Sequence, residues 1–307
     1  GPGGWGGGGF ADGSLGLPLV VLCHATGFCK ETWLPVVEEL ARLSRSPLRW
    51  MAIDFSGHGD SRPLPQDPPV WSEVFTGDIL DTLDEMGDGA EVVVGVGHSM
   101  GGAALLHSAL VRPKLFSSLI LYEPVVLDNE SMQRAHGAVP QDVDSQMASL
   151  ALKRRSEWKD VEEAEEYFRS RKAFSAFTEE GMQAMLMGGL RTSDDGLGLT
   201  LKCTKEQEAT TYMGRGADTI NLWGKLGEVA CPVHVAVGAR SVGPMDHTHF
   251  SQLTAKLPHG TLRVAEGAGH FGVMEDPGWM AKCVGSACKE LMPSCFTGVS
   301  MQGVSRL

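Results

Sequence analysis

Short apolar runs alternate with longer amphipathic stretches along most of this chain. The runs lie at 17–23, 48–53, 91–96, 118–122, 232–237 and 261–264, each rich in Val, Leu or Ile and bounded by turn residues. Continuous apolar runs of this length suit strands buried on both faces. Between them the period changes. Over 71–86, Phe75, Ile79 and Leu83 recur every four residues with Leu80 beside them, which is one apolar face of a helix. Strands alternating with helices predict an α/β fold: a mostly parallel central sheet flanked by helices, joined by right-handed crossovers.

The alternation stops between about residues 128 and 227, where no strand-like run stands out. This stretch holds acidic, helix-like sequence at 157–171 and the Met-rich GMQAMLMGGL at 181–190. It reads as a helical cap or lid inserted between two strands, with 17–127 and 228–307 forming the core. The acidic run reads as a solvated helix face. Met182, Met185 and Met187 read as core filling, with the lining of an acyl pocket as the other reading. Residues 1–16 are glycine-rich and read as a flexible N-terminus.

Composition narrows the classes. A formal net charge of −12 gives no basic face for phosphates, so no nucleic-acid partner is expected. No apolar run reaches the roughly 18 residues of a transmembrane helix, and the first residues do not form a signal peptide. The chain carries seven cysteines, an odd number at irregular spacing without a CxxC pair. They read as free thiols in the cytoplasm or another reducing intracellular compartment.

The chemistry begins at 91–102, EVVVGVGHSMGG, followed by the helical pattern AALLHSALV. This is G-x-S-x-G between a strand and a helix, where a tight turn projects the Ser99 hydroxyl above the sheet. Side chains at Gly97 and Gly101 would collide with the neighbouring strand or helix. The helix N-terminus directs free N–H groups at developing negative charge. His98 flanks the serine and is expected to pack or bond locally rather than serve as base. Near the C-terminus, TLRVAEGAGHFGVMEDP places His270 in a glycine-rich loop after a strand. An imidazole can take the serine proton and return it to a leaving group. His247 and His249 are spaced wrongly for two metal ligands on one helix face, and no dinucleotide or phosphate-loop fingerprint is present.

With the stretch CHATGFCKETWLPVVEEL at 23–40 and DFSGHGDS at 54–61, the chain resembles the α/β-hydrolases. The resemblance implies that Thr26, from His24-Ala25-Thr26 in place of the usual His-Gly-x, and Met100 supply the backbone N–H groups of an oxyanion hole. It implies that His58 is structural and that His270 is the base. It also implies an acid in a Gly-x-x-Asp turn after the strand PVHVAVG. Here that turn reads Gly238-Ala239-Arg240-Ser241, with serine in the acid's place. Two carboxylates preserve the order nucleophile, acid, base: Glu123, at the end of LILYEP, and Asp246, at the start of a helix. Glu123 is preferred because the sheet defines its position, whereas Asp246 suits a helix cap. The expected activity is that of a serine hydrolase acting on a small acyl substrate, an ester, thioester or lipid, with no cofactor. The alternative is a catalytically weak small-molecule receptor or binding protein on the same fold.

Overall fold

Six of the chain's strands run parallel: each is short and apolar on both faces, and intervening helices return the chain to the same end of the sheet before the next strand begins. In the computed structural model, residues 4–6, 18–44, 49–65, 68–86, 92–128, 140–214, 216–242, 245–291 and 293 are described. The strands are β1 (Gly4–Gly6), β2 (Leu19–Cys23), β3 (Arg49–Ile53), β4 (Val93–His98), β5 (Ser118–Tyr122), β9 (Val233–Gly238) and β10 (Gly260–Ala265), in the order β1-β3-β2-β4-β5-β9-β10. Only β1 is antiparallel, pairing Trp5 with Ala52. All six apolar runs of the sequence are therefore strands. One expectation is corrected: the glycine-rich start supplies an edge strand at 4–6, which has none of the β-branched residues that signal one.

Alternation within each strand fills both faces. Leu19, Val21, Leu119, Leu121, Val235 and Val237 face one core. There they meet α2 (Trp71–Met86), α3 (Met100–Val111), α8 (Gly216–Lys225) and α9 (His247–Lys256). Val20, Leu22, Val94, Val96 and Ile120 face the other, against α1 (Leu34–Leu43) and α10 (Pro277–Leu291). The chain steps from β2 outward to β3 and then back across β2 to β4. The winding thus reverses between the carboxyl ends of β2 and β4, the position where open α/β sheets hold ligands.

The segment between β5 and β9 is mainly helical, with α4 (Pro140–Lys153), α5 (Val161–Arg169), α6 (Glu179–Gly189) and α7 (Lys205–Met213) preceding α8. The sequence predicts a helical insertion here, and the structure corrects that in part. β6 (Glu157–Trp158), β7 (Leu190–Thr192) and β8 (Leu199–Leu201) form a small antiparallel sheet. Strands of two or three residues are too short to show a period in the sequence. Part of the 157–171 stretch read as helix is therefore strand. The last helix of the segment, α8, buries Leu222 in the sheet's own core.

Two glycines permit the turn between β4 and α3. A Cβ on Gly97 would lie 2.7 Å from the Gly102 Cα, and one on Gly101 would run into the Cys23 carbonyl. Gly101→Ala is expected to lower stability by about 1–3 kcal/mol through overpacking against backbone, read as a lower urea midpoint at unchanged m-value.

Candidate functional site

Three strand ends lie side by side at the winding reversal. The last register pair of β4 and β5 is His98 with Tyr122, so Ser99 and Glu123 are the next residues on adjacent strands. Both have left-handed backbones, φ 54° at Ser99 and 44° at Glu123, which non-glycine residues rarely adopt. The ladder holds them there. Ser99 N–H donates to the Tyr122 carbonyl at 3.0 Å, and Glu123 N–H to the Ala236 carbonyl at 2.9 Å.

Glu123 is buried, and its two oxygens are divided between two jobs. Oε1 accepts from the Gly238 N–H at 2.8 Å and from the Ser241 hydroxyl at 2.5 Å. Oε2 lies 2.7 Å from His270 Nδ1. Asp246 instead caps α9, accepting from the His249 N–H at 3.0 Å. Of the two candidate acids, the fold brings Glu123 to the imidazole and gives Asp246 a helix end. Ser99, Glu123, His270 and Thr26 line one cavity of about 560 Å³. No hydrogen bond joins the Ser99 hydroxyl to the imidazole among the described residues; such contacts often tighten only around a substrate.

The two candidate oxyanion residues are tied to each other. The Thr26 hydroxyl donates to the Met100 sulfur at 3.4 Å, and Gly101 N–H donates to the His24 carbonyl at 3.1 Å. Beneath them is a buried polar layer. His24 Nε2 accepts from the Phe55 N–H at 3.1 Å, and burial pushes this imidazole down to about 4. Burial likewise pushes His58 to about 3, so it is a neutral packing group between His24 and Phe75. Asp54 accepts from Lys30 Nζ at 2.6 Å, and Lys30 also reaches Asp60 at 2.7 Å. Burial by itself would lower the ammonium, but its bonds to Asp54 and Asp60 outweigh that and raise it. Lys202, just past β8, completes the chain by donating to Asp60 at 2.5 Å.

Two residues that sequence reasoning undervalued hold the loop of His270. His98 does not bond locally: its Nε2 lies 2.8 Å from the carbonyl of His270 itself. The Tyr122 hydroxyl donates to the adjacent Gly269 carbonyl at 2.7 Å. Burial holds His98 well below its ordinary value, so the ring is neutral and Nε2–H is the donor. The neighbouring ring, Phe271, stacks on Phe174 from the segment between β5 and β9 at 5.9 Å and 8°. The three methionines of that segment divide: Met182 is buried in the core, Met185 lines the cavity, and Met187 is exposed. Among the described residues no group of His, Cys, Asp and Glu is arranged for a metal, no helix is long and apolar enough to cross a membrane, and the six cysteines are buried and form no disulfide. Cys295 lies outside the described residues.

Residues 20–282 match the profile described as the alpha/beta hydrolase family. The chain belongs to that family. Relatives include the lipase LipV of Mycobacterium tuberculosis, 36% identical over 115 residues, covering 36% of this chain and 42% of LipV. Mouse protein phosphatase methylesterase 1 is 33% identical over 101 residues, covering 33% of this chain and 25% of that protein. The chain thus spans less than half the length of either relative. Among solved structures, the peroxisomal alpha-beta-hydrolase Lpx1 of Saccharomyces cerevisiae superimposes with a TM-score of 0.74 at 22% identity, covering 95% of this chain and 82% of Lpx1. An esterase of M. tuberculosis gives a TM-score of 0.68 at 20% identity, covering 89% of this chain and 86% of that one. These structures share the fold.

Two outcomes are expected. His24 and His58 are depressed in the folded state relative to about 6.5 unfolded, so the unfolded chain binds more protons below that value. Stability present above pH 6.5 is therefore lost as pH falls from 6.5 toward 4, by roughly 3 kcal/mol for His24 alone. Urea midpoints across that range measure it. Replacing His98 by Leu should lower turnover by about tenfold or more with a small change in KM, whereas His98→Gln, which keeps a donor, should restore most of it.

Proposed function

We propose that this chain is a serine hydrolase that cleaves an ester-type bond. The 2.7 Å contact between His270 Nδ1 and Glu123 Oε2, on the wall of the cavity that Ser99 lines, carries this reading. A buried carboxylate at Nδ1 fixes the tautomer with Nε2 free to accept a proton and stabilises the imidazolium that results. Ser99 Oγ attacks the substrate carbonyl as His270 Nε2 takes its proton. The carbonyl oxygen, now negative, accepts from the N–H groups of Thr26 and Met100. His270 gives its proton to the leaving group, and the acyl-enzyme is then hydrolysed by water activated at the same imidazole.

The relatives support an ester-type substrate: their names include a lipase, a methylesterase and an esterase. The residues between β5 and β9 act as a cap. Met147 and Leu150 from α4, Phe168 from α5, and Met185 and Leu186 from α6 give the cavity a largely apolar wall suited to an acyl group.

A fluorophosphonate probe should label the native chain and not Ser99→Ala, and a short p-nitrophenyl ester should turn over repeatedly. Glu123→Gln should lower kcat by about a hundredfold or more. Asp246→Asn should leave kcat within about threefold, since asparagine caps a helix nearly as well. Ligand binding with no turnover would favour the receptor reading. Equal losses in the two carboxylate variants would overturn the choice of acid.

A further inference from the structure

The cavity holds one ion pair that the hydrolytic steps do not use. Arg154, just after α4, and Glu208, on α7, meet at 2.6 Å between Nη1 and Oε2, with side-chain exposures of 22% and 9%. Both line the same cavity as Ser99 and His270. Their position is close to the chemistry: a Cβ built on Gly27 would lie 2.8 Å from Glu208 Oε1 and 3.7 Å from Arg154 Nη1. Gly27 follows Thr26, the proposed oxyanion donor.

Holding α4 against α7 does not require this pair. Those helices already share an apolar contact of Ala148, Ala151 and Ala209 with Tyr212 packed on it. A buried ion pair is expensive to desolvate, and apolar residues of similar volume often serve stability as well or better. The pair's hydrogen-bonding capacity is also incompletely used within the protein. Arg154 Nε has no hydrogen-bond partner and the bond from its Nη2 to the Cys203 carbonyl is stretched to 3.5 Å, while Glu208 accepts from Arg154 and from Tyr212.

We infer that Arg154 and Glu208 form a polar subsite for a hydroxyl group carried close to the scissile carbonyl, so that the preferred substrate is a hydroxyacyl ester. The pair presents a cationic donor and an anionic acceptor side by side. A hydrocarbon gives neither group a partner beyond the other, and a carboxylate faces the like charge of Glu208. A hydroxyl accepts from the guanidinium and donates to the carboxylate. The placement against Gly27 puts that group near the reacting carbonyl rather than at the far end of the acyl chain. A site built to bond a substrate hydroxyl discriminates strongly against the analogue lacking it.

This inference rests on the serine-hydrolase reading, and one experiment separates their failures. Acid release would be followed with methyl butyrate, methyl 3-hydroxybutyrate and monomethyl succinate. The native chain should favour the hydroxy ester over methyl butyrate by about tenfold or more in kcat/KM. Arg154→Met/Glu208→Leu should bring that ratio to near one, while Glu208→Gln, which keeps an acceptor and the side-chain shape, should retain most of it. A native ratio near one, a ratio unmoved in the double variant, or a preference for the succinate monoester would overturn the subsite and leave the hydrolase standing. No turnover of any ester, with no fluorophosphonate labelling of Ser99, would overturn both.

Discussion

The parallel ladder between β4, β5 and β9 is the constraint on which the site depends. It ends at the His98–Tyr122 pair, and the next residue on each strand enters the left-handed region. Such conformations cost about 1–3 kcal/mol each in a non-glycine residue and persist only where the surroundings over-determine them. Here they are held from both sides, since Ser99 N–H donates into β5, Val125 N–H returns to the Ser99 carbonyl, and Glu123 N–H donates into β9. The hydroxyl and the carboxylate are thereby set on rigid strand tips. Only the imidazole comes from a loop, and that loop is gripped at two successive carbonyls by His98 and Tyr122. The donors of those bonds belong to the same register pair that ends the ladder, so one piece of sheet geometry orients all three groups.

The turn after β9 has no carboxylate of its own, yet it holds the carboxylate of Glu123. Its Gly238 N–H and Ser241 hydroxyl both converge on Glu123 Oε1. That leaves Oε2 to face His270 without competition and keeps the carboxylate from rotating away. Glu123 and this turn are adjacent because β5 and β9 are neighbours in the sheet, although 115 residues of sequence separate the Gly238 amide from Glu123.

Much of this was legible in the sequence because it follows from local pattern. The six apolar runs marked six parallel strands, and the glycines around Ser99 marked a turn that admits no side chain. Glu123 could be preferred over Asp246 because a strand end is placed by the sheet, whereas an Asp ahead of a helical stretch satisfies a cap. What escaped is what depends on three-dimensional approach. The strand at 4–6 exists through pairing with β3, since glycines have no strand preference. β6, β7 and β8 are too short for any period to register. The reach of His98 to a carbonyl at residue 270, and the meeting of Arg154 with Glu208 beside Gly27, join parts of the chain whose separation carries no local signal. The departure of Asp from position 241 was visible, but the service that Ser241 performs there was not.

The close approach at Gly101 has a consequence for how this architecture diversifies. Its Cα faces the bare backbone of Cys23 and His24, with a hydrogen bond to the His24 carbonyl across the gap. With no side chain between them to absorb a shift, a displacement of the loop after β2 passes directly to the first turn of α3. The loop that carries Thr26 and the helix that follows Ser99 consequently behave as one mechanical part. New specificity is freer to arise among the side chains that the segment between β5 and β9 brings to the cavity, while this junction accepts change only when both of its halves move together.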